Sequence, residues 1–222
     1  MKVAVIQFPG SNCDRDTLYV LKNTANIEPA LVWHNDLKHE SYDAAILPGG
    51  FSFGDHLRAG IIAAQSPATD IVRKMAEDGK PVLGICNGFQ ILIESSLLPG
   101  ALLRNSGLKF VCKWTSLELE RNQTAFTCAF EKKARIRMPI AHNEGRYFAE
   151  DASLDRLREE GLVVLTYLGE NPTGTSRGIT AISNKEGNVV GMMPHPERAS
   201  DIALGGTDGL RVFESMVEWA RC

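Results

Sequence analysis

The chain has 222 residues, with 24 Lys and Arg against 27 Asp and Glu and a net charge of −3. This excludes a basic footprint for nucleic acid, the more so because the cations are dispersed along the chain. The length suffices for one well-packed core, no stretch reads as a linker, and a single domain over residues 1–222 is expected.

Residues 3–8 are predicted as a buried strand, followed by a helix whose Leu18, Leu21 and Ala25 recur at helical spacing behind a cap at Ser11 or Asn12. The apolar opening is far too short for a signal peptide, and no run approaches a membrane span, so a cytoplasmic protein is expected. Residues 29–33 and 44–47 supply two more strands, and a helix over residues 68–78 stops at Gly79 with Pro81 beyond it. Pro81-Val-Leu-Gly-Ile85 is a short apolar run of the buried-strand kind, and Gly88-Phe-Gln-Ile-Leu-Ile-Glu94 continues at helical spacing. Alternating strands and amphipathic helices predict right-handed βαβ units, hence an α/β fold with a mostly parallel sheet and helices on both faces. Ligands of such sheets bind at the carboxyl ends of the strands.

Cys86 falls in the turn between that strand and that helix. The glycines beside it allow the tight backbone of a nucleophile elbow, with sulfur where the hydrolase motif carries serine. At a helix N-terminus the unpaired N–H groups and the positive dipole end favour a thiolate. An inert core cysteine is the plainer alternative. Five cysteines, at 13, 86, 112, 128 and 222, are odd in number and include no Cys-x-x-Cys pair. Reduced thiols are therefore expected, with neither a disulfide framework nor a metal site. Asn122-Gln-Thr124 matches a glycosylation acceptor, which carries no meaning without secretion.

The middle of the chain changes period. Phe110, Cys112 and Trp114 alternate with polar or smaller neighbours, and Leu117 and Leu119 alternate with Glu118 and Glu120. This predicts half-buried antiparallel strands, and residues 105–150 read as an antiparallel β extension with Lys109 and Lys113 on a solvated face. A base for Cys86 has two candidates, both after plausible strands. His195 and Glu197 stand two apart with Pro194 and Pro196 enforcing extension, so both side chains can lie on one side. His142 and Glu144 have the same separation without the prolines. Leu210, Phe213, Val217 and Ala220 close the chain on one helical stripe. Gly205-Gly-Thr-Asp-Gly209 before it could cradle phosphate, or simply cap the helix through Thr207 or Asp208.

Gly84-Ile-Cys86-Asn-Gly-Phe-Gln90 together with Pro194-His195-Pro-Glu197 resembles the class I glutamine amidotransferases. Pro9-Gly-Ser-Asn-Cys-Asp-Arg15, Pro48-Gly-Gly-Phe-Ser-Phe-Gly-Asp55, Lys109-Phe-Val-Cys-Lys-Trp114 and Pro139-Ile-Ala-His-Asn-Glu-Gly145 narrow the similarity to glutaminase subunits of phosphoribosylformylglycinamidine synthases. Phe53 and His56 stand where that family more often has tyrosine. The resemblance implies a flavodoxin-like fold and a triad of Cys86 as nucleophile, His195 as acid and base, and Glu197 as its orienter. It further implies an oxyanion hole from the backbone N–H groups of Gly50 and Asn87, with Gln90 contacting L-glutamine. It places His142 outside the triad. It implies a synthetase partner that uses ATP and magnesium, and a small third subunit; this chain needs no cofactor and has no complete Walker motif of its own. Two rivals are a peptidase- or chaperone-type cysteine hydrolase sharing the elbow, and a regulatory subunit that binds glutamine without turnover.

Overall fold

The computed structural model describes residues 1–24 and 26–221. Its first half alternates β1 (Lys2–Gln7), α1 (Asp14–Asn23), β2 (Glu28–Trp33), β3 (Ala44–Leu47), α2 (Pro67–Glu77), β4 (Val82–Ile85) and α3 (Asn87–Glu94). Then come β5 (Ala101–Leu103), β6 (Val111–Leu119), β7 (Arg135–His142), β8 (Arg146–Phe148), α4 (Asp151–Glu159), β9 (Val163–Tyr167), β10 (Ile179–Ser183), β11 (Val189–Met192) and α5 (Leu210–Trp219). Ala25 and Cys222 lie outside the described residues. Among the described residues no helix is long and apolar enough to cross a membrane.

Nine strands form one sheet in the order β2-β1-β3-β4-β11-β10-β9-β6-β7. Neighbours from β2 to β11 pair parallel. Neighbours from β11 to β7 pair antiparallel, so only β10 and β6 run against the rest. β3, β4, β10 and β11 are buried at every position, which is why β3, β4 and β11 are continuous apolar runs rather than alternations. α1 packs on β1 and β2, while α2 and α3 pack on β3 and β4. α3 is buried from Asn87 through Ile93, and it is correspondingly apolar nearly all round.

The antiparallel extension exists, but as the far edge of the main sheet. The two strand segments expected around Phe110 and Leu119 are one continuous strand, β6, in register with β7 from Val111↔His142 to Glu118↔Arg135. β5 and β8 form a separate two-stranded ladder. α4, β9 and β10 have no counterpart among the expected elements.

Two expected caps are absent. α1 starts after Cys13 without a side-chain cap, because the Ser11 hydroxyl accepts from Phe8 N and the Asn12 carboxamide accepts from the Cys13 thiol. Neither Thr207 nor Asp208 caps α5, whose boundary residue is Gly209. The Asp208 carboxylate is engaged by Arg137 N of β7, and a Cβ at Gly209 would overlap the Pro196 carbonyl. The glycine cluster therefore serves close packing. The buried stripe of α5 includes Val212, Phe213, Met216 and Val217, while Ala220 is exposed beyond the helix end.

Candidate active site

Register places the reactive groups. Met192, the end of β11, pairs with Ile85, the end of β4, and Leu47 at the end of β3 pairs with Gly84. Whatever follows these three strands therefore emerges together at their carboxyl ends.

After β4 comes Cys86 at φ 50° and ψ −101°, a strained conformation for a residue with a Cβ. The surroundings hold it there: its N–H donates to Met192 O at 2.7 Å, and its carbonyl accepts from Gln90 N at 3.1 Å. The flanking glycines are steric requirements. A Cβ at Gly84 would sit 2.6 Å from Gly88 O, and one at Gly88 would overlap Leu47 O. Cys86 is 5% exposed, and its sulfur lies at the N-terminus of α3 and 3.8 Å from Ala141 O of β7.

After β11 the chain reaches His195, whose N–H donates to Pro139 O of β7 at 2.9 Å. Its Nδ1 donates to Glu197 Oε1 at 2.6 Å, and both side chains are buried. The route differs from simple extended alternation. His195 is extended, but Pro196–Arg198 forms a tight 3₁₀ turn, and this turn swings the Glu197 carboxylate onto the ring. Burial is the largest single influence on His195 and lowers its proton affinity, but the charges of Glu197 and Cys86 and hydrogen bonding with Cys13 and Cys86 together outweigh it. The net result is a histidine pushed well above its ordinary range. Its Nε2 has no conventional hydrogen-bond partner among the described residues.

The loop after β3 carries Gly49 and Gly50. Gly50 is wedged against the backbone of Ser11 and Asn12, where a Cβ would lie 2.8 Å from Ser11 Cα. Asn87 opens α3, so its N–H belongs to the helix end that lacks intrahelical partners. Its side chain ties the site together, accepting from Ser52 N at 3.1 Å and donating to Gln90 Oε1 at 2.8 Å. Gln90 Nε2 in turn donates to Glu144 O at 2.6 Å. Gln90 thus braces the turn after β7, with one N–H and one lone pair left over.

His142 and Glu144 do not form a second acid/base pair. Glu144 faces Arg104 at 3.5 Å, and His142 Nδ1 sits 3.1 Å from Asn105 Oδ1. Burial, then the nearby His195, pushes His142 down to about 3.

Three groups at the site carry no sequence signal beyond the motif segments around them. Asp55 is pushed up to about 6 by burial and by the charge of Glu144. Cys13 is buried, and a Cβ at Gly49 would lie 3.0 Å from its sulfur and 2.9 Å from His195 Cε1. Arg198 Nη2 donates to that sulfur at 3.1 Å. Donor atoms of Cys13, His195 and Glu197 fall within 4.8 Å of one another, a spacing a metal ion could bridge. The Arg198 guanidinium already occupies the sulfur and Glu197 already holds Nδ1, so the set is poorly suited to a cation. Burial also raises the Cys13 thiol, which disfavours it as the attacking sulfur.

Residues 1–220 match the model of the CobB/CobQ-like glutamine amidotransferase domain. The chain is 46% identical to one in the structure of PurLQS from Thermotoga maritima, covering 99% of this chain and 98% of that one, with a TM-score of 0.90. The fold extends to more distant structures. The glutaminase domain of Trypanosoma brucei CTPS with bound acivicin matches at 14% identity and a TM-score of 0.66, over 100% of this chain and 94% of that one. A glutamine amidotransferase from Thermotoga maritima matches at 16% identity and 0.56, over 100% and 82%.

Proposed function

The chain belongs to the CobB/CobQ-like glutamine amidotransferase domain family, and from that premise we propose that it is the glutaminase subunit of a phosphoribosylformylglycinamidine synthase. It hydrolyses L-glutamine and passes ammonia to a synthetase partner, which uses ATP and magnesium to convert formylglycinamide ribonucleotide to formylglycinamidine ribonucleotide in the cytoplasm. A small third subunit completes the complex. Kinship with the PurLQS chain supports the assignment to this enzyme. The observation that carries the chemistry is the buried His195–Glu197 pair, which emerges from β11 beside the strained Cys86 elbow of β4.

In this reading the thiol proton already rests on His195, and the Cys86 thiolate attacks the side-chain amide carbon of glutamine as the carbonyl π electrons move to oxygen. The N–H groups of Gly50 and Asn87 receive that oxyanion; losing one such donor typically costs about 3–4 kcal/mol of transition-state stabilisation. Collapse breaks the carbon–nitrogen bond as His195 returns its proton to the departing ammonia, leaving a thioester at Cys86. Water, deprotonated by His195, then releases glutamate and regenerates the thiol. Glu197 fixes the imidazole tautomer and stabilises its charged form throughout. Gln90 presents its remaining N–H and lone pair to the substrate. Free ammonia at neutral pH is mostly protonated and not nucleophilic, which is why its consumer belongs on the same complex.

The family match over residues 1–220 stands against a peptidase- or chaperone-type hydrolase. A regulatory subunit without turnover has no use for the thiol and the proton carrier both being in place. The test is Cys86→Ala in the assembled complex with the synthetase. Glutamine-dependent product formation should vanish while added ammonium still supports synthesis; continued glutamine hydrolysis by the variant would refute the mechanism.

A further inference from the structure

We propose that the Nε2 lone pair of His142 accepts an N–H of the substrate's side-chain amide and so distinguishes a carboxamide from a carboxylate. This rests on the glutaminase reading above and goes beyond it by assigning the histidine that the triad leaves unused.

The protonation state of the ring follows from its neighbours. Asn105 Nδ2 donates to Lys109 O at 3.0 Å and to His142 O at 2.9 Å, and Asn105 Oδ1 accepts from Gly145 N at 3.2 Å. These three bonds fix which end of the amide is oxygen, so His142 Nδ1, 3.1 Å from that oxygen, must carry the hydrogen. Nε2 is then a bare lone pair. It is buried and has no hydrogen-bond partner among the described residues. A buried acceptor without a partner is unfavourable, and a role in catalysis or binding is one reason such a group is retained.

Location points to which ligand. His142 ends β7, and its neighbours on both sides already touch the site. Ala141 O faces the Cys86 sulfur at 3.8 Å, and Glu144 O accepts from Gln90 Nε2 at 2.6 Å. His142 lies between these two contacts, close enough to His195 for the latter's charge to depress its proton affinity. The ring packs against Gly145, where a Cβ would overlap it, so glycine at 145 is what lets the imidazole take this position.

A neutral acceptor does something a cation cannot. The amide of glutamine offers two N–H groups, whereas the carboxylate of glutamate offers only lone pairs, which meet the Nε2 lone pair unfavourably. Held neutral by burial, His142 binds substrate and helps expel product. A charged histidine in its place would retain glutamate.

Two isosteres separate this role from a scaffolding one. Asn at position 142 can reproduce the bond from the Nδ1 position to Asn105 but leaves the Nε2 position empty. Gln reaches the Nε2 position and sacrifices the bond to Asn105. Each variant is assembled with the synthetase and assayed twice: for ammonia release from glutamine, and for alkylation of Cys86 by a chloromethyl ketone analogue of glutamine, which has no amide N–H. For His142→Asn the expected loss in kcat/KM for glutamine is roughly 10- to 100-fold, with alkylation within about twofold of wild type and His142→Gln less impaired. The proposal is overturned if alkylation slows in parallel with hydrolysis, if His142→Asn outperforms His142→Gln, or if His142→Asn loses nothing. A wild-type complex that neither releases ammonia nor is alkylated at Cys86 would instead refute the glutaminase reading beneath it.

Discussion

Two segments of this chain carry histidine and glutamate two residues apart, and they reach opposite electrical states. At the end of β11, a tight turn folds Glu197 back onto His195 Nδ1, and the ring is pushed toward holding a proton. At the end of β7 the chain continues toward β8 and Glu144 turns to Arg104. The neutral amide of Asn105 takes Nδ1, and His142 falls to about 3. Both rings are buried, so burial does not separate them. What separates them is the charge beside the ring, first that of the group at Nδ1 and then that of Cys86, and the group at Nδ1 is decided by the backbone path after the histidine. Spacing in sequence permits an acid/base pair; the turn that follows makes one.

The strongest way to break the contrast is to give His195 the neutral partner that His142 has. Glu197→Gln keeps the shape and removes the charge; glutaminase kcat should fall roughly 10³- to 10⁴-fold, as replacing the third triad member by its amide does elsewhere. Steady-state ammonia release measures this, and synthesis from added ammonium in the same complex should be retained. A loss below tenfold would mean that Glu197 does not control the imidazole. A smaller effect is expected on the other side. Asn105→Ala strips the partner from His142 Nδ1 and Gly145 N, and from the carbonyls of Lys109 and His142. Leaving such buried groups unpaired should cost about 1–3 kcal/mol in urea unfolding. An unchanged unfolding midpoint would show that the amide does not hold the ring.

The same contrast explains how much of the molecule could be read from its sequence. The parallel half was legible because its strands are short apolar runs bounded by glycine and proline, and because the glycines around Cys86 and the prolines around His195 constrain local backbone. Triad candidates come from such local signals. α4, β9 and β10 were not anticipated: Asp151–Glu159 buries only Leu154 and Leu157, and Val163–Tyr167, although set between Gly161 and Gly169, is a short apolar run that periodicity alone does not tell from a buried helical segment. Cys13, Asn105 and Arg198 reach the site through contacts between distant segments, and no period or spacing encodes these. Asn105 and His142 are 37 residues apart, and Cys13 and Arg198 are 185 apart. The Ser11 and Asp208 caps failed for a related reason, since Ser11 is claimed by its own turn and Asp208 by Arg137 of a distant strand.

The finest test of the contrast is the dependence of stability on pH, where the two histidines act with opposite sign. His142 has a folded value depressed to about 3 from 6.5. Between those values the unfolded chain binds more protons than the folded one, so its contribution is complete above the unfolded value and is lost as pH falls. His195 is raised above 6.5 in the fold. Its contribution is complete below that value and is lost as pH rises toward the folded one. One proton changes stability by at most about 1.4 kcal/mol per pH unit, so each limb of the curve is shallow. Asp55, raised from 3.8 to about 6, works against His142 on the acid side, because its contribution declines as pH rises through that window. The informative quantity is therefore the difference between wild type and variant, in which Asp55 cancels. Urea unfolding from pH 4 to 9 should show that His142→Asn removes an acid-side loss and Glu197→Gln removes an alkaline-side loss. If Glu197→Gln left the alkaline limb unchanged, the charge at Nδ1 would not be what sets the two rings apart.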